Sequence, residues 1–185
     1  NEKNLGAGLS RNKGIQAATG EYIAFCDCDD LWSQFKLEEQ LNFMKKFKAD
    51  FTYTAYQIID KKGKIIGERS AKDNISFIEL LSSCDIGLST VMLKKKLFDN
   101  QNFYFPNIKT KEDYVVWLKL SQNGIKMYGI KKNYSYWRKL DNSLSSSSIQ
   151  KIFDGYSVYS EYLNYSMIRS LFRLAMLAIN SLLKK

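Results

Sequence analysis

At 185 residues, 45% of them apolar, the chain can bury the core of one full-sized domain or of one domain with an appendage. It contains no histidine, which excludes Ser-His and Cys-His catalysis for want of the base and leaves any zinc site to cysteine and carboxylate alone. The net charge of +9 points to a polyanionic partner: nucleic acid, an anionic membrane surface or a phosphorylated substrate.

Lysine supplies nearly all of that charge. Only Arg11, Arg69, Arg138, Arg169 and Arg173 offer the bidentate fork that reads bases, which argues against a nucleic-acid partner. Cys26, Cys28 and Cys84 are an odd number, contain no Cys-x-x-Cys pair and read as reduced, cytosolic residues. No apolar run reaches the roughly 18 residues of a membrane span. The chain opens at Asn1, and no strand precedes its first Gly-rich turn. The expectation is therefore a C-terminal part of a longer protein.

In chain order, residues 9–18 read as a short helix opened by a glycine-containing turn and closed by Gly20. Residues 21–26 read as a strand whose continuous apolar character predicts burial on both faces, as in a parallel sheet. A helix follows over 34–47, with Leu37, Leu41, Met44 and Phe47 as its core stripe. Residues 50–59 and Ile65-Ile66 form a hairpin around Asp60-Lys61-Lys62-Gly63-Lys64. A short helix at 75–81, a strand at 87–93, a helix at 111–122 ended by Asn123-Gly124, and a strand at 125–137 complete an α/β domain with a mixed sheet.

A serine-rich loop at 143–148 marks a boundary between a domain over 1–148 and a helical tail over 149–185. After Glu161 the tail has no acidic residue. Ser166, Arg169, Ser170, Arg173, Asn180, Ser181 and Lys184 lie on one narrow helical stripe, and the rest of that helix is apolar. Such a basic amphipathic helix can lie in an anionic bilayer surface or pack on protein.

The most informative feature is Asp27-Cys28-Asp29-Asp30, where the apolar run 22–26 stops. Three carboxylates in four residues at a strand end are costly unless a cation or strong donors meet them. A hard divalent ion, Mg²⁺ or Mn²⁺, that also takes substrate phosphates is the obvious guest. Helix capping by Asp30 explains one aspartate and not three. An EF-hand loop fails because Leu31 and Trp32 stand where an oxygen ligand and a glycine are needed. A solvated acidic turn remains the plain alternative.

Upstream, Gly6 and Gly8 resemble a dinucleotide-binding turn, but Arg11 stands where its third glycine belongs. Downstream, Thr110-Lys111-Glu112-Asp113 reads as a capping box with Asp113 at the third helical position, or as an acidic pair free for chemistry.

Taken together, Asn4, Gly6, Ser10-Arg11-Asn12-Lys13-Gly14, residues 18–25 and the aspartate cluster resemble glycosyltransferase family 2 of the GT-A fold, with Ser10 in place of the usual alanine. The resemblance continues through Glu112-Asp113 and through Tyr134-Ser135-Tyr136-Trp137-Arg138 with Asn142-Ser143-Leu144-Ser145. It implies a GT-A-like mixed sheet flanked by helices and lacking its first βαβ part. Asp27 and Asp29 would bind the divalent metal and the donor's diphosphate. Arg11 and Arg138 would lie by the donor, and Asp113 would be the general base. Glu112 and Trp117 are acceptor-side candidates.

The implied activity is inverting transfer of a sugar from a nucleotide-diphosphate-sugar to a hydroxyl of a growing, lipid-linked surface glycan, at the inner face of the cell membrane. A nucleotidyltransferase using the same carboxylates, and a non-catalytic membrane-binding module, are the rival readings. The nucleotidyltransferase would need a lysine-rich phosphate loop, and the Gly6-Gly8 turn carries only Lys13.

Overall fold

The computed structural model describes residues 4–140 and 147–183. Its centre is a seven-stranded mixed sheet in the order β1, β6, β3, β7, β2, with β4 paired to β3 and β5 to β7. The strands are β1 (Tyr22–Ala24), β2 (Leu31–Trp32), β3 (Phe51–Ile59), β4 (Ile65–Arg69), β5 (Asn74–Ile75), β6 (Met92–Lys94) and β7 (Met127–Arg138). The helices are α1 (Ala7–Ala17), α2 (Lys36–Phe47), α3 (Phe77–Leu80), α4 (Glu112–Gln122), α5 (Ser148–Ser157) and α6 (Met167–Leu183), with a π turn at Val158–Tyr162.

The long strands β3 and β7 run parallel and form the spine. The β-branched and aromatic residues of β3, buried at every position from Phe51 to Ala55, suit a strand covered on both faces. The hairpin from β3 to β4 forms as expected, with Asp60 Oδ1 accepting the amides of Lys62 and Lys64 and Gly63 at φ 86°. The α3 helix is opened by a capping box between Ser76 and Glu79. Gly124, at φ 81°, sits just past the end of α4.

Four expectations change. The strand at 21–26 shrinks to three half-buried residues, and among the described residues β1 pairs only with β6, antiparallel. Residues 87–93 divide into a 3₁₀ turn at Leu88–Thr90 and the short β6.

The α2 helix turns Lys36, Gln40 and Met44 to the sheet, leaving Leu37 and Phe47 in solvent. The polar pair is accepted because it is satisfied: Lys36 Nζ donates to Gln40 Oε1 at 2.7 Å, and Gln40 Nε2 donates to Thr52 Oγ1 and the Thr90 carbonyl. Lys36 also lies 4.2 Å from the centre of the Trp32 ring, and burial pushes its pKa down to about 7.

The tail is two helices in place of one. Val158, Tyr159, Leu163 and Leu177 belong to the same hydrophobic cluster as Phe51, Trp117 and Leu118. The described residues of the tail, 149–183, therefore share the core of the sheet domain. The serine-rich segment from Asn142 to Ser145 lies outside the described residues.

Candidate active site

The site is assembled by three elements that bring distant residues to one end of the sheet. In the first, Gly6 caps α1 at φ 79°, a conformation that favours glycine. Gly8 lets α1 approach the Phe105-Pro106 backbone: a β-carbon there would lie 2.6 Å from the Pro106 carbonyl oxygen. One turn on, buried Asn12 clamps Phe105 twice, donating from Nδ2 to its carbonyl at 2.8 Å and accepting its amide at 2.9 Å. Those contacts aim Arg11, whose guanidinium lies 5.6 Å from the centre of the Phe105 ring.

The second element is the turn after β1. The Asp30 amide donates to the Asp27 carbonyl at 3.0 Å, and the Asp27 amide donates to Ser89 Oγ at 3.0 Å. Asp30 is buried. Its carboxylate accepts Ser89 Oγ at 2.5 Å and the Arg138 amide at 2.9 Å, so it fastens the turn to the 3₁₀ segment and to β7. Burial raises its pKa to about 6 against those two hydrogen bonds. It caps no helix, because α2 begins six residues later.

The third element is the start of α4. The capping box does not form: Lys111 is the N-cap, in the left-handed region at φ 66°, without a side-chain cap. Thr110 is instead held by Asp154 of α5, whose Oδ2 accepts both its amide and its hydroxyl at 2.8 Å. Asp113 is thereby free of capping duty. Among the described residues its Oδ1 accepts only the next amide, that of Tyr114, at 2.7 Å.

Arg11 joins the three. Nη2 donates to Asp27 Oδ1 at 2.7 Å, and Nη1 donates to Glu112 Oε1. One guanidinium therefore holds the aspartate turn and the acidic pair of α4 together. Burial works against the Arg11 charge, but Asp27 and Glu112 more than offset it and its pKa is raised. Asp113 is pushed up to about 6, first by burial and then by the charge of Glu112, with Arg11 opposing.

Two expected contributors sit otherwise. Trp117 is 1% exposed among Phe25, Phe51 and Phe105, with its indole nitrogen unpartnered, and faces no acceptor. Asp113 and Trp117 share one face of α4, and that face runs from the half-buried start of the helix at Asp113 into the core at Trp117. Arg138 donates from Nε to the Asp29 carbonyl at 2.9 Å and from Nη1 to the carbonyls of Asp60 and Lys61. Its guanidinium holds the loop that carries Asp29.

The donor set suits a hard cation. Asp27 and Asp29 are half-buried carboxylates on one turn, and none of the described residues donates to the carboxylate of Asp29. No group of three or more metal-ligating side chains occurs among the described residues. Mg²⁺ commonly draws on one or two carboxylates and takes further oxygens from phosphates and water, so the pair fits such an ion.

A sequence profile of Glycosyl transferase family 2 matches residues 1–118. The chain belongs to that family.

Its relatives include TuaG of Bacillus subtilis, named for teichuronic acid biosynthesis, which is 33% identical over 161 residues, 86% of this chain and 63% of TuaG. WfgD of Escherichia coli, named as a UDP-Glc:alpha-D-GlcNAc-diphosphoundecaprenol beta-1,3-glucosyltransferase, is 34% identical over 170 residues, 91% of this chain and 66% of WfgD. The chain thus spans a little under two-thirds of the length of each. Residues 1–349 of TarS from S. aureus, solved with UDP-GlcNAc, superpose with a TM-score of 0.66 at 20% identity, covering 94% of this chain and 52% of that one. The fold is the GT-A-type mixed sheet flanked by helices that the sequence resemblance implied.

Sequence reasoning missed Ser89 and Asp154. Ser89 accepts the Asp27 amide, donates to Asp30, and receives Trp32 Nε1 and Ser135 Oγ on its carbonyl. Neither residue belongs to a motif. Asp154 has one faint signal, an acidic residue on the apolar first turns of the tail.

Proposed function

We propose that this family 2 glycosyltransferase moves a sugar, with inversion, from a nucleotide-diphosphate-sugar to a hydroxyl of a growing, lipid-linked surface glycan. The observation that carries the reading is Arg11 bridging Asp27 and Glu112, which sets the aspartate turn beside the acidic pair of α4. A donor diphosphate at the first then lies next to a base at the second.

Asp113 is the general base. A carboxyl with pKa near 6 is ionised at neutral pH yet basic enough to take the acceptor hydroxyl proton. As that proton moves to Asp113, the acceptor oxygen forms its bond to the anomeric carbon, and the bond from that carbon to the diphosphate breaks. The diphosphate leaves with the electron pair on the face opposite to attack.

Asp27 and Asp29 would hold the divalent ion, Mg²⁺ or Mn²⁺, which when bound offsets the negative charge developing on the leaving diphosphate. Arg11 keeps Asp27 and Glu112 in register, and Glu112 keeps Asp113 basic. Arg138 steadies the backbone of Asp29, and a direct phosphate contact from its Nη1 would replace the Asp60 and Lys61 carbonyls.

The name of WfgD, which specifies a diphosphoundecaprenol-linked acceptor, supports the lipid-carried acceptor of this reading, and that of TuaG, given for teichuronic acid biosynthesis, supports a glycan product. Among the described residues no helix is long and apolar enough to cross a membrane, and the reading takes the attachment to be peripheral.

The test is transfer and donor hydrolysis with UDP-, GDP- and CDP-sugars and Mn²⁺, comparing Asp29→Ala with Asp113→Asn. The reading expects Asp29→Ala to lose donor binding, and Asp113→Asn to keep donor binding and lose turnover. Wild-type turnover in both would sink it.

A further inference from the structure

We propose that the outward face of α5 and α6 is the surface by which this protein lies on an anionic lipid bilayer. The inference rests on the lipid-linked acceptor of the reading above and names the part of the chain that meets the membrane.

The α6 helix is amphipathic in the reverse of the usual sense. Part of its polar stripe faces the protein, while Arg169 on the edge of the stripe is exposed: Ser170 is 0% exposed with Oγ donating to the Tyr165 carbonyl, and Asn180 Nδ2 donates to the Ser82 carbonyl at 2.8 Å. Leu177 is buried beside them. The outward residues are Ile168, Leu171, Phe172, Ile179 and Leu182, with Ile168 78% and Phe172 60% exposed. A helix bathed in water turns its apolar stripe to the core, and a contiguous apolar face left outward marks a contact surface.

The α5 helix repeats the pattern. Asp154 points inward to Thr110, while Ile149, Ile152 and Phe153 are exposed. The two helices touch at Gly155, where a β-carbon would come within 2.8 Å of Leu174 Cδ1.

Charge selects the occupant. Residues 148–185 carry Lys151, Arg169, Arg173, Lys184 and Lys185 against Asp154 and Glu161, and nothing acidic follows Glu161. Of those two acids, Asp154 is buried and bonded to Thr110, and Glu161 accepts Ser157 Oγ. Lys151 is exposed on α5, and exposed Arg169 stacks 3.7 Å from the centre of the Tyr165 ring. Protein interfaces concentrate their energy in Trp, Tyr and Arg pockets. A broad Ile/Leu/Phe surface in a segment with more cations than carboxylates matches the boundary between anionic headgroups and acyl chains.

The placement also serves the chemistry. Asp154 grips Thr110, three residues before Asp113, so the start of α4 lies directly behind α5. A bilayer meeting the outer side of α5 is then about one helix diameter, roughly 10 Å, from the start of α4, the scale on which a lipid-carried acceptor must be presented.

The test is sedimentation of the intact chain with vesicles of phosphatidylcholine alone and with phosphatidylglycerol added. The expected result is pelleting on the anionic vesicles, weakened by salt, and reduced about tenfold or more by Ile168→Glu combined with Phe172→Glu. Both positions face outward, so circular dichroism should be unchanged; Phe153→Glu supplies an independent loss from α5. UDP-sugar binding by these variants should match wild type. Wild-type protein that stays in the supernatant with both vesicle types overturns the proposal. So does a lipid-free dimer that the same substitutions split, which would give the face to a second copy. Vesicle binding that persists in a protein unable to bind any nucleotide-sugar would instead retire the transferase reading and leave this surface standing.

Discussion

Arg11 and Glu112, 101 residues apart in sequence, meet in an ion pair that ties α1 to the first turn of α4. Because Arg11 also holds Asp27, replacing it leaves two carboxylates facing each other with no counter-charge. Breaking a buried pair from one side costs more than the pair contributes when intact. Arg11→Met should therefore lower unfolding stability by about 2–4 kcal/mol, measured by urea titration. It should also raise the pKa of Asp113, since Arg11 is the charge that opposes its upward shift. An unchanged urea midpoint would show that the bridge is not what joins the two halves of the site.

The pH dependence of turnover should report the acidic pair. Asp113 must be ionised to accept a proton, so kcat/KM should rise with pH through about 6 and level off above it. Glu112→Gln removes the like charge that helps hold Asp113 up while keeping an oxygen for Arg11, so its acid limb should move to lower pH. Asp113→Asn should lose about 10²-fold or more in kcat with donor binding retained. A limb that stays in place in Glu112→Gln would assign the titration to another group.

The sequence showed which residues matter better than it showed how they are held. Gly6 and Arg11 were legible because the motif spans residues 4–30, whereas Gly8 read only as part of a glycine turn and its need lies in a contact with Pro106, far along the chain. Asp27 and Asp29 were placed at a strand end correctly, while Asp30 proved to be a buried fastener for Ser89 and Arg138. Helical spacing alone put Leu37 in the core, because it does not reveal that a satisfied Lys36–Gln40 pair can take the inward face of α2. In the tail the polar stripe was legible while the side it faces stayed open, since periodicity is blind to which side is covered.

Asp30 should make stability fall as pH rises. Its folded pKa of about 6 exceeds the ordinary 3.8, so the folded state binds the proton more tightly than the unfolded chain does. The stabilisation is fully present below about pH 4 and lost as pH climbs through 6. Asp30→Asn keeps an oxygen for the Arg138 amide, and Ser89 Oγ can turn to accept the new N–H. The variant should gain about 1 kcal/mol over wild type at pH 8 and nothing at pH 4, by thermal or urea unfolding. A constant difference across that range would place the titration elsewhere.

Trp117 offers a check on the acceptor side. With its ring enclosed by Phe25, Phe51 and Phe105 and its N–H unpartnered, Trp117→Phe removes an orphaned donor along with some buried area. These effects oppose one another, and the net cost should not exceed about 2 kcal/mol. The acceptor KM should be unchanged. A KM raised tenfold in a folded variant would restore the indole to the binding surface.

Asp154 acts at a distance from the chemistry, through the turn that sets α4. Its carboxylate is buried, takes the Thr110 amide and hydroxyl on Oδ2, and receives Gln150 Nε2 on Oδ1 at 2.9 Å. Asp154→Ala leaves the Thr110 amide unpaired beneath α5, a loss of about 1–3 kcal/mol, and releases the left-handed Lys111 from its fixed position. Asp113 then samples more than one pose, so kcat should fall about tenfold while donor KM, set at the aspartate turn, holds. Asp154→Asn retains an oxygen for Thr110, and the amide of Gln150 can flip to meet the new N–H. It should recover most of both losses. If the alanine and asparagine variants share one kcat at matched stability, Asp154 supports only the fold, and the start of α4 takes its geometry from Arg11 alone.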